Sequence, residues 1–206
     1  MSEELFSLNF DARPEQANKS VKQAQSIVGY SDKRAKNDFY PTPPEATEAL
    51  LSRVKFSERV WECACGDGAI SKVLEKHKHD VISTDLFDYG YGISGVDFLR
   101  TSRKYRKKLG VDTIITNPPY KSAEKFLSQA HYIGIKTMAM LLKLSFLEGQ
   151  ARKELFSKLP PSWVFVFSKR LTFNKGGIES GGTGMIAFAW FLWQFDQYKT
   201  TEIGWL

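Results

Sequence analysis

The run Val111-Asp112-Thr113-Ile114-Ile115-Thr116 leads directly into Asn117-Pro118-Pro119-Tyr120, and this junction limits the possible folds more than any other stretch. β-Branched residues favour a buried strand. Proline has no N–H for a sheet ladder and restricts the residue before it, so the strand must stop at Asn117. The loop therefore leaves from a strand's carboxyl end, which is where open α/β sheets bind ligands. The tetrad offers an amide acceptor (Asn117), a carbonyl on stiff backbone (Pro118) and an aromatic face (Tyr120), a set suited to a planar amino group on a ring. A Pro-Pro turn ending in tyrosine also serves as plain loop punctuation, so the rest of the chain has to decide.

Upstream, Arg59-Val60-Trp61-Glu62 reads as a short buried strand, followed by Cys63-Ala64-Cys65-Gly66-Asp67-Gly68 and a helix with Ile70, Val73 and Leu74 inward. Gly66 and Gly68 permit a sharp bend and close approach of a ligand, and small Ala64 keeps the cleft open. The third glycine of the dinucleotide fingerprint is missing. The next strand, Asp80 to Thr84, ends at Asp85, about twenty residues past the turn, the spacing at which an acid reaches ribose hydroxyls. Asp85 also reads as a simple turn starter. Asp97-Phe98 could hydrogen-bond an adenine amino group and pack its face, or form another strand-end turn.

Phe39-Tyr40-Pro41-Thr42-Pro43-Pro44-Glu45 is a stiff loop, and a helix with Ala46, Ala49, Leu50 and Val54 on one face follows it. Thr42 is the expected N-cap and Pro43 suits the first helical position. Residues 1–37 are polar and read as an arm, with 38–206 as one domain. After the tetrad, Ala123, Phe126, Leu127, Ala130 and Ile133 keep helical spacing. Thr137 to Leu142 is a strand, Gln150 to Leu159 a helix, and Trp163 to Phe167 a strand. A loop with Gly176, Gly177, Gly181, Gly182 and Gly184 follows, and Met185 to Trp193 returns. Strand, flexible loop and returning strand suggest an antiparallel edge hairpin on an otherwise parallel sheet.

Charge and cysteine content narrow the partners. A net charge of +6 leans toward a polyanion. Arg100, Arg103, Lys104, Arg106, Lys107 and Lys108 cluster on one segment and read equally as a solvated helix face or as phosphate contacts; Lys169, Arg170 and Lys175 form a second group. Cys63 and Cys65, with only three scattered histidines, make no recognisable zinc set and read as reduced packing residues, so no metal is expected. With no apolar run near membrane-spanning length and no signal-peptide pattern, the chain is expected in the cytosol.

Taken in order, Thr42-Pro43-Pro44-Glu45, Glu62-x-Ala64-Cys65-x-Asp67-Gly68, Asp85, Asp97-Phe98-Leu99 and Asn117-Pro118-Pro119-Tyr120 resemble the motif series of S-adenosylmethionine-dependent adenine-N6 DNA methyltransferases. The resemblance runs from about Asp38 to Ala130 and continues more weakly to Trp193. It implies an α/β fold of the class I methyltransferase (Rossmann-like) type, a seven-stranded mostly parallel sheet with a C-terminal antiparallel hairpin. It implies S-adenosylmethionine as cofactor and S-adenosylhomocysteine as product. By this resemblance Tyr40, Thr42, Glu62, Ala64, Gly66, Asp67 and Gly68 lie around the cofactor, Asp85 holds its ribose, and Asp97 and Phe98 its adenine. Asn117, Pro118, Pro119 and Tyr120 form the catalytic tetrad, Asn117 also bordering the cofactor. Tyr120, Phe173, Arg170 and Lys121 are expected on the substrate side.

The implied partner is DNA. The tetrad alone also occurs in enzymes that methylate guanine in ribosomal RNA or glutamine in release factors, so RNA or a protein glutamine stays open, as does an idle nucleic-acid-binding module of the same fold. Only about ten residues follow the last expected strand, which leaves no room for the separate target-recognition domain of many family members. A small enzyme of this type would suit a phage or mobile element.

Overall fold

The order of strands along the sheet, rather than their number, locates the site. The computed structural model describes residues 41–172, 186–197 and 200–206, which belong to the unit Tyr40–Leu206. Its elements are α1 (Pro44–Arg53), β1 (Arg59–Glu62), α2 (Ala69–Lys76), β2 (Asp80–Ser83), α3 (Arg103–Leu109), β3 (Thr113–Thr116), α4 (Ala123–Tyr132), β4 (Thr137–Lys143), α5 (Gln150–Lys158), β5 (Trp163–Val166), β6 (Phe188–Gln194) and β7 (Glu202–Trp205). They build one seven-stranded sheet in the order β2-β1-β3-β4-β6-β5-β7. β6 alone among them runs against its neighbours. The chain goes outward from β1 to β2, then returns and builds β3 on β1's other side. The strand order therefore reverses between β1 and β3, the position at which doubly wound sheets open a crevice.

Alternation along the strands creates a core on each face. Met138, Met140 and Leu142 of β4 join one cluster with Trp61, Phe126, Leu127 and Phe191, while Ala139 and Leu141 join the other with Ala46, Leu50, Ile70, Leu74 and Trp190. α4 buries Ala123, Phe126, Leu127 and Ala130, the spacing of a single helical stripe. Each fully buried Leu or Phe of this kind contributes about 1.5–3 kcal/mol. The buried Trp190 indole N–H donates to the Ala46 carbonyl at 2.7 Å and so ties α1 to β6.

The fold class is as expected, with two corrections. The expected hairpin does not form the sheet edge: β7, in the residues after the last expected strand, adds itself parallel to β5. Its outward residues Ile203 and Trp205 are 55% and 64% exposed, so β7 carries no clean burial pattern to read. Thr42 is not the N-cap of α1. Pro43 holds that position without a side-chain cap, because its ring offers no acceptor, and its carbonyl takes the Ala46 N–H instead. The expected 1–37 arm, Tyr40, Phe173, Lys175 and the glycine loop from Gly176 to Gly184 lie outside the described residues.

Candidate active site

Pairing sets the strand tips beside one another. β1 and β3 are parallel neighbours with Trp61 opposite Ile114, so the chain leaves β1 at Glu62 and β3 at Thr116 on the same rim of the sheet. β2 ends on this rim too, with Ser83 opposite Glu62. Glu62, the 63–68 turn, Asp85 and the 117–120 tetrad thus surround one rim position.

The turn between β1 and α2 is held from two sides. Gly66 and Gly68 take φ values of 53° and 81°, left-handed backbone open to glycine. A Cβ on Gly68 would lie 2.4 Å from the Tyr91 ring, which covers the turn from the β2 side and is itself anchored through its hydroxyl to Glu75 at 2.7 Å. Ala64 donates its N–H to Glu62 Oε1 (3.3 Å), and Asp67 Oδ1 accepts the Ala69 N–H (3.2 Å) at the start of α2. Asp85 Oδ2 accepts the Gly66 N–H at 2.9 Å, and its Oδ1 accepts the Phe87 N–H at 2.8 Å. The Leu86 N–H also favours the charged form of Asp85.

Two buried polar atoms at the junction of the tips have no hydrogen-bond partner, Glu62 Oε2 and Thr116 Oγ1. Burial pushes the Glu62 carboxyl well above its usual range; the Thr116 hydroxyl and the Ala64 N–H offset this in part, and the Asp85 charge adds to it. The Thr116 hydroxyl lies close enough to favour the charged carboxylate but makes no bond of normal geometry. Burial also raises Asp85 and Asp97, and pushes the Cys65 thiol up to about 12, with Glu62 second among the causes. Cys63 and Cys65 are free and buried.

In the tetrad, Asn117 is half-buried, and its Nδ2 donates to Thr42 Oγ1 at 3.0 Å. This brings the loop before α1 onto the tetrad. Pro118 is buried, and the Pro119 carbonyl is committed to the Ser122 N–H at 2.8 Å. The Tyr120 ring packs against both cores, 5.9 Å from Phe188, and the Lys143 ammonium lies 5.1 Å above its centre. Lys121 is exposed at the tip, and Arg170, beyond the end of β5, is exposed as well.

Sequence reasoning placed Phe98 against the cofactor's adenine. Phe98 is only 2% exposed and lies in the core, with Trp61 at 5.3 Å and Phe126 at 4.8 Å. The half-buried side chain in that turn is Asp97, whose Oδ1 accepts the Leu99 N–H at 3.0 Å. Lys143, Phe188 and Tyr91 escaped notice. Lys143 had a signal, a lone cation closing the apolar run of β4; Phe188 and Tyr91 had none, since only the register carries them to the rim.

The basic segment 100–108 is not part of this constellation. The Leu109 carbonyl at the end of α3 accepts from Arg59, the first residue of β1, and Arg103 donates to the Tyr132 carbonyl at the end of α4. α3 therefore ends at the amino-terminal rim of the sheet. Arg106, Lys107 and Lys108 sit in its last turn, where they suit the helix dipole, while Arg103 and Lys104 open it. A cavity of about 260 Å³, lined by Lys158, Trp193, Gln194 and Phe195 among others, lies on that far rim as well. Among the described residues no cluster of His, Cys, Asp and Glu could hold a metal, and no helix is long and apolar enough to cross a membrane.

No family model and no curated protein matches this sequence. Solved structures do match its fold. A protein provisionally assigned as the modification subunit of a type I restriction enzyme from Vibrio vulnificus YJ016 superposes with a TM-score of 0.56 at 14% identity, over 93% of this chain and 51% of that one. This chain thus spans about half the length of that relative. One provisionally assigned as an RNA methyltransferase from Pyrococcus horikoshii gives 0.57 at 13% identity, over 87% and 98% of the two chains. A 23S rRNA methyltransferase gives 0.51 at 13%, over 76% and 69%. At such identities the likeness establishes the fold, a Rossmann-like methyltransferase sheet.

Proposed function

We propose that this chain transfers a methyl group from S-adenosylmethionine to the exocyclic N6 of adenine in DNA. The observation that carries this reading is the adjacency of the Glu62 and Asn117 tips at the strand-order reversal, with the Asn117 amide oriented by Thr42. That the structural neighbours include a 23S rRNA methyltransferase, a protein provisionally assigned as an RNA methyltransferase and one provisionally assigned as the modification subunit of a restriction enzyme favours a nucleic-acid substrate.

The residues present fit the cofactor. Glycine backbone at 66 and 68 gives close access, and Asp85 stands beside it as an acceptor. When bound, S-adenosylmethionine supplies an electrophilic methyl on a sulfonium. The chain's own task is to prepare the amine, whose lone pair is delocalised into the purine ring. Asn117 Oδ1 and the Pro118 carbonyl would accept its two N–H bonds, drawing the nitrogen toward tetrahedral geometry and freeing the lone pair. Tyr120 would hold the ring. The amine proton becomes acidic only once the new N–C bond has formed and then passes to solvent, so positioning and electrostatics supply the rate. The base must leave the duplex, at a cost of a few kcal/mol offset by stacking and hydrogen bonds.

The test is digestion of unmethylated DNA exposed to the protein and cofactor, followed by mass analysis for N6-methyladenine, with RNA and a glutamine peptide assayed in parallel. N6-methyladenine in DNA is expected. Label appearing only in RNA or in peptide would redirect the substrate assignment, and no transfer to any of the three would return the chain to an idle binding module.

A further inference from the structure

We propose that Thr42 is the positioning residue for Asn117: its Oγ1 accepts one Asn117 N–H and anchors the amide in place, leaving Oδ1 to face the incoming amine. The purpose of that oxygen rests on the methyl-transfer reading above; the anchoring itself does not. A hydroxyl can accept from an amide nitrogen or donate to an amide oxygen, so the contact fixes the amide's position and plane, and the amine, which offers N–H bonds, selects the flip with Oδ1 outward. Here Nδ2 meets Thr42 Oγ1 at 3.0 Å across 75 residues. In the opposite flip Nδ2 would face the substrate. Donor would then meet donor, and the amine's lone pair would stay in the ring.

Both partners are delivered on stiff backbone. Thr42 is 5% exposed and lies between Pro41 and Pro43. The Pro43 carbonyl accepts the Ala46 N–H at 2.9 Å, and the Ala46 carbonyl in turn accepts the Trp190 indole N–H at 2.7 Å. Asn117 stands between the fully buried Thr116 and Pro118, a residue that narrows its backbone freedom. A hydroxyl this firmly seated can hold an amide to a fraction of an ångström, the tolerance that near-attack geometry demands. The contact gives Thr42 a role distinct from lining the cofactor.

The test compares Thr42→Val, nearly isosteric but without the acceptor, with Thr42→Ser, which keeps it, and with Thr42→Ala as a second deletion. Three quantities are measured in the full chain: the side-chain amide resonances of Asn117, the affinity for S-adenosylhomocysteine, and the single-turnover methyl-transfer rate on an adenine-containing oligonucleotide. In Thr42→Val and Thr42→Ala the Asn117 amide proton that bonds Thr42 should move upfield, narrowing its separation from its geminal partner, and the rate should fall on the order of 30- to 100-fold, with affinity for S-adenosylhomocysteine within about twofold of wild type. Thr42→Ser should restore the shifts and the rate. Unchanged Asn117 resonances in Thr42→Val, or affinity lost in step with rate, would overturn the proposal. If the wild-type chain methylates no adenine, the methyl-transfer reading falls, while the amide resonances still decide whether Thr42 orients Asn117.

Discussion

The Asp85 carboxylate accepts the backbone N–H of Gly66 at 2.9 Å, so the tip beyond β2 holds the glycine turn beyond β1 in place. Asp85 is 7% exposed and its other oxygen is bonded to Phe87, which makes the acid part of the turn's frame before any ligand arrives.

Asp85→Ala should therefore weaken cofactor affinity first. Removing the acceptor leaves a buried N–H unsatisfied and loosens the turn at a cost of about 1–3 kcal/mol, which, where binding has to restore the turn, corresponds to roughly a 5- to 150-fold loss of affinity. Asn117→Ala should retain affinity and lose turnover. Calorimetric titration with S-adenosylhomocysteine checks the pair; equal losses would contradict this division of roles.

Glu62→Gln should alter the pH dependence of stability. The folded-state pKa of Glu62 is raised by burial, so the native state holds the proton over a range where the unfolded chain has released it. Its contribution to stability is full below the ordinary carboxyl value and is lost as pH rises through the elevated one, at about 1.4 kcal/mol per unit of separation. Melting curves should show wild type losing stability relative to Glu62→Gln from about pH 4.5 upward. Parallel curves would mean that the carboxyl is not perturbed as its burial implies.

Gly68→Ala should destabilise the fold by about 1–3 kcal/mol, since the new methyl meets the Tyr91 ring at 2.4 Å on backbone with φ of 81°. Adding Tyr91→Ala should recover the clash but not the backbone strain, so the double variant should sit between wild type and the single substitution in chemical denaturation. Full recovery would place the whole penalty on the ring.

Lys143→Gln should lower the salt slope of nucleic-acid binding by about one, whereas replacing Lys104, Lys107 and Lys108 together should leave it unchanged. Lys143 stands over Tyr120 on the tetrad's rim, and the end of α3 lies on the far rim. Binding isotherms across a salt series separate the two; a slope that falls with the α3 triple substitution would make that helix a nucleic-acid contact after all.

Much of this molecule is legible from local rules. The β-branched run stopped by Pro118 and Pro119, the glycines at 66 and 68, and the stripe of Ala123, Phe126, Leu127 and Ala130 each specify a strand, a turn or a helix within a few residues. The candidate site's residues were legible for the same reason: amide, prolines and aromatic are contiguous, and Asp85 follows the strand after the glycine turn. Tertiary structure alone decided what depends on register and on contacts between distant segments. It made β7 the sheet edge and withdrew Phe98 into the core. It carried α3 to the far rim, set Lys143 over Tyr120, and turned Thr42 from an expected helix cap into the acceptor for Asn117. Backbone preference acts over a few residues, but a hydrogen bond between residues 42 and 117 exists only after the sheet has brought two strand ends and the loop before α1 to the same rim.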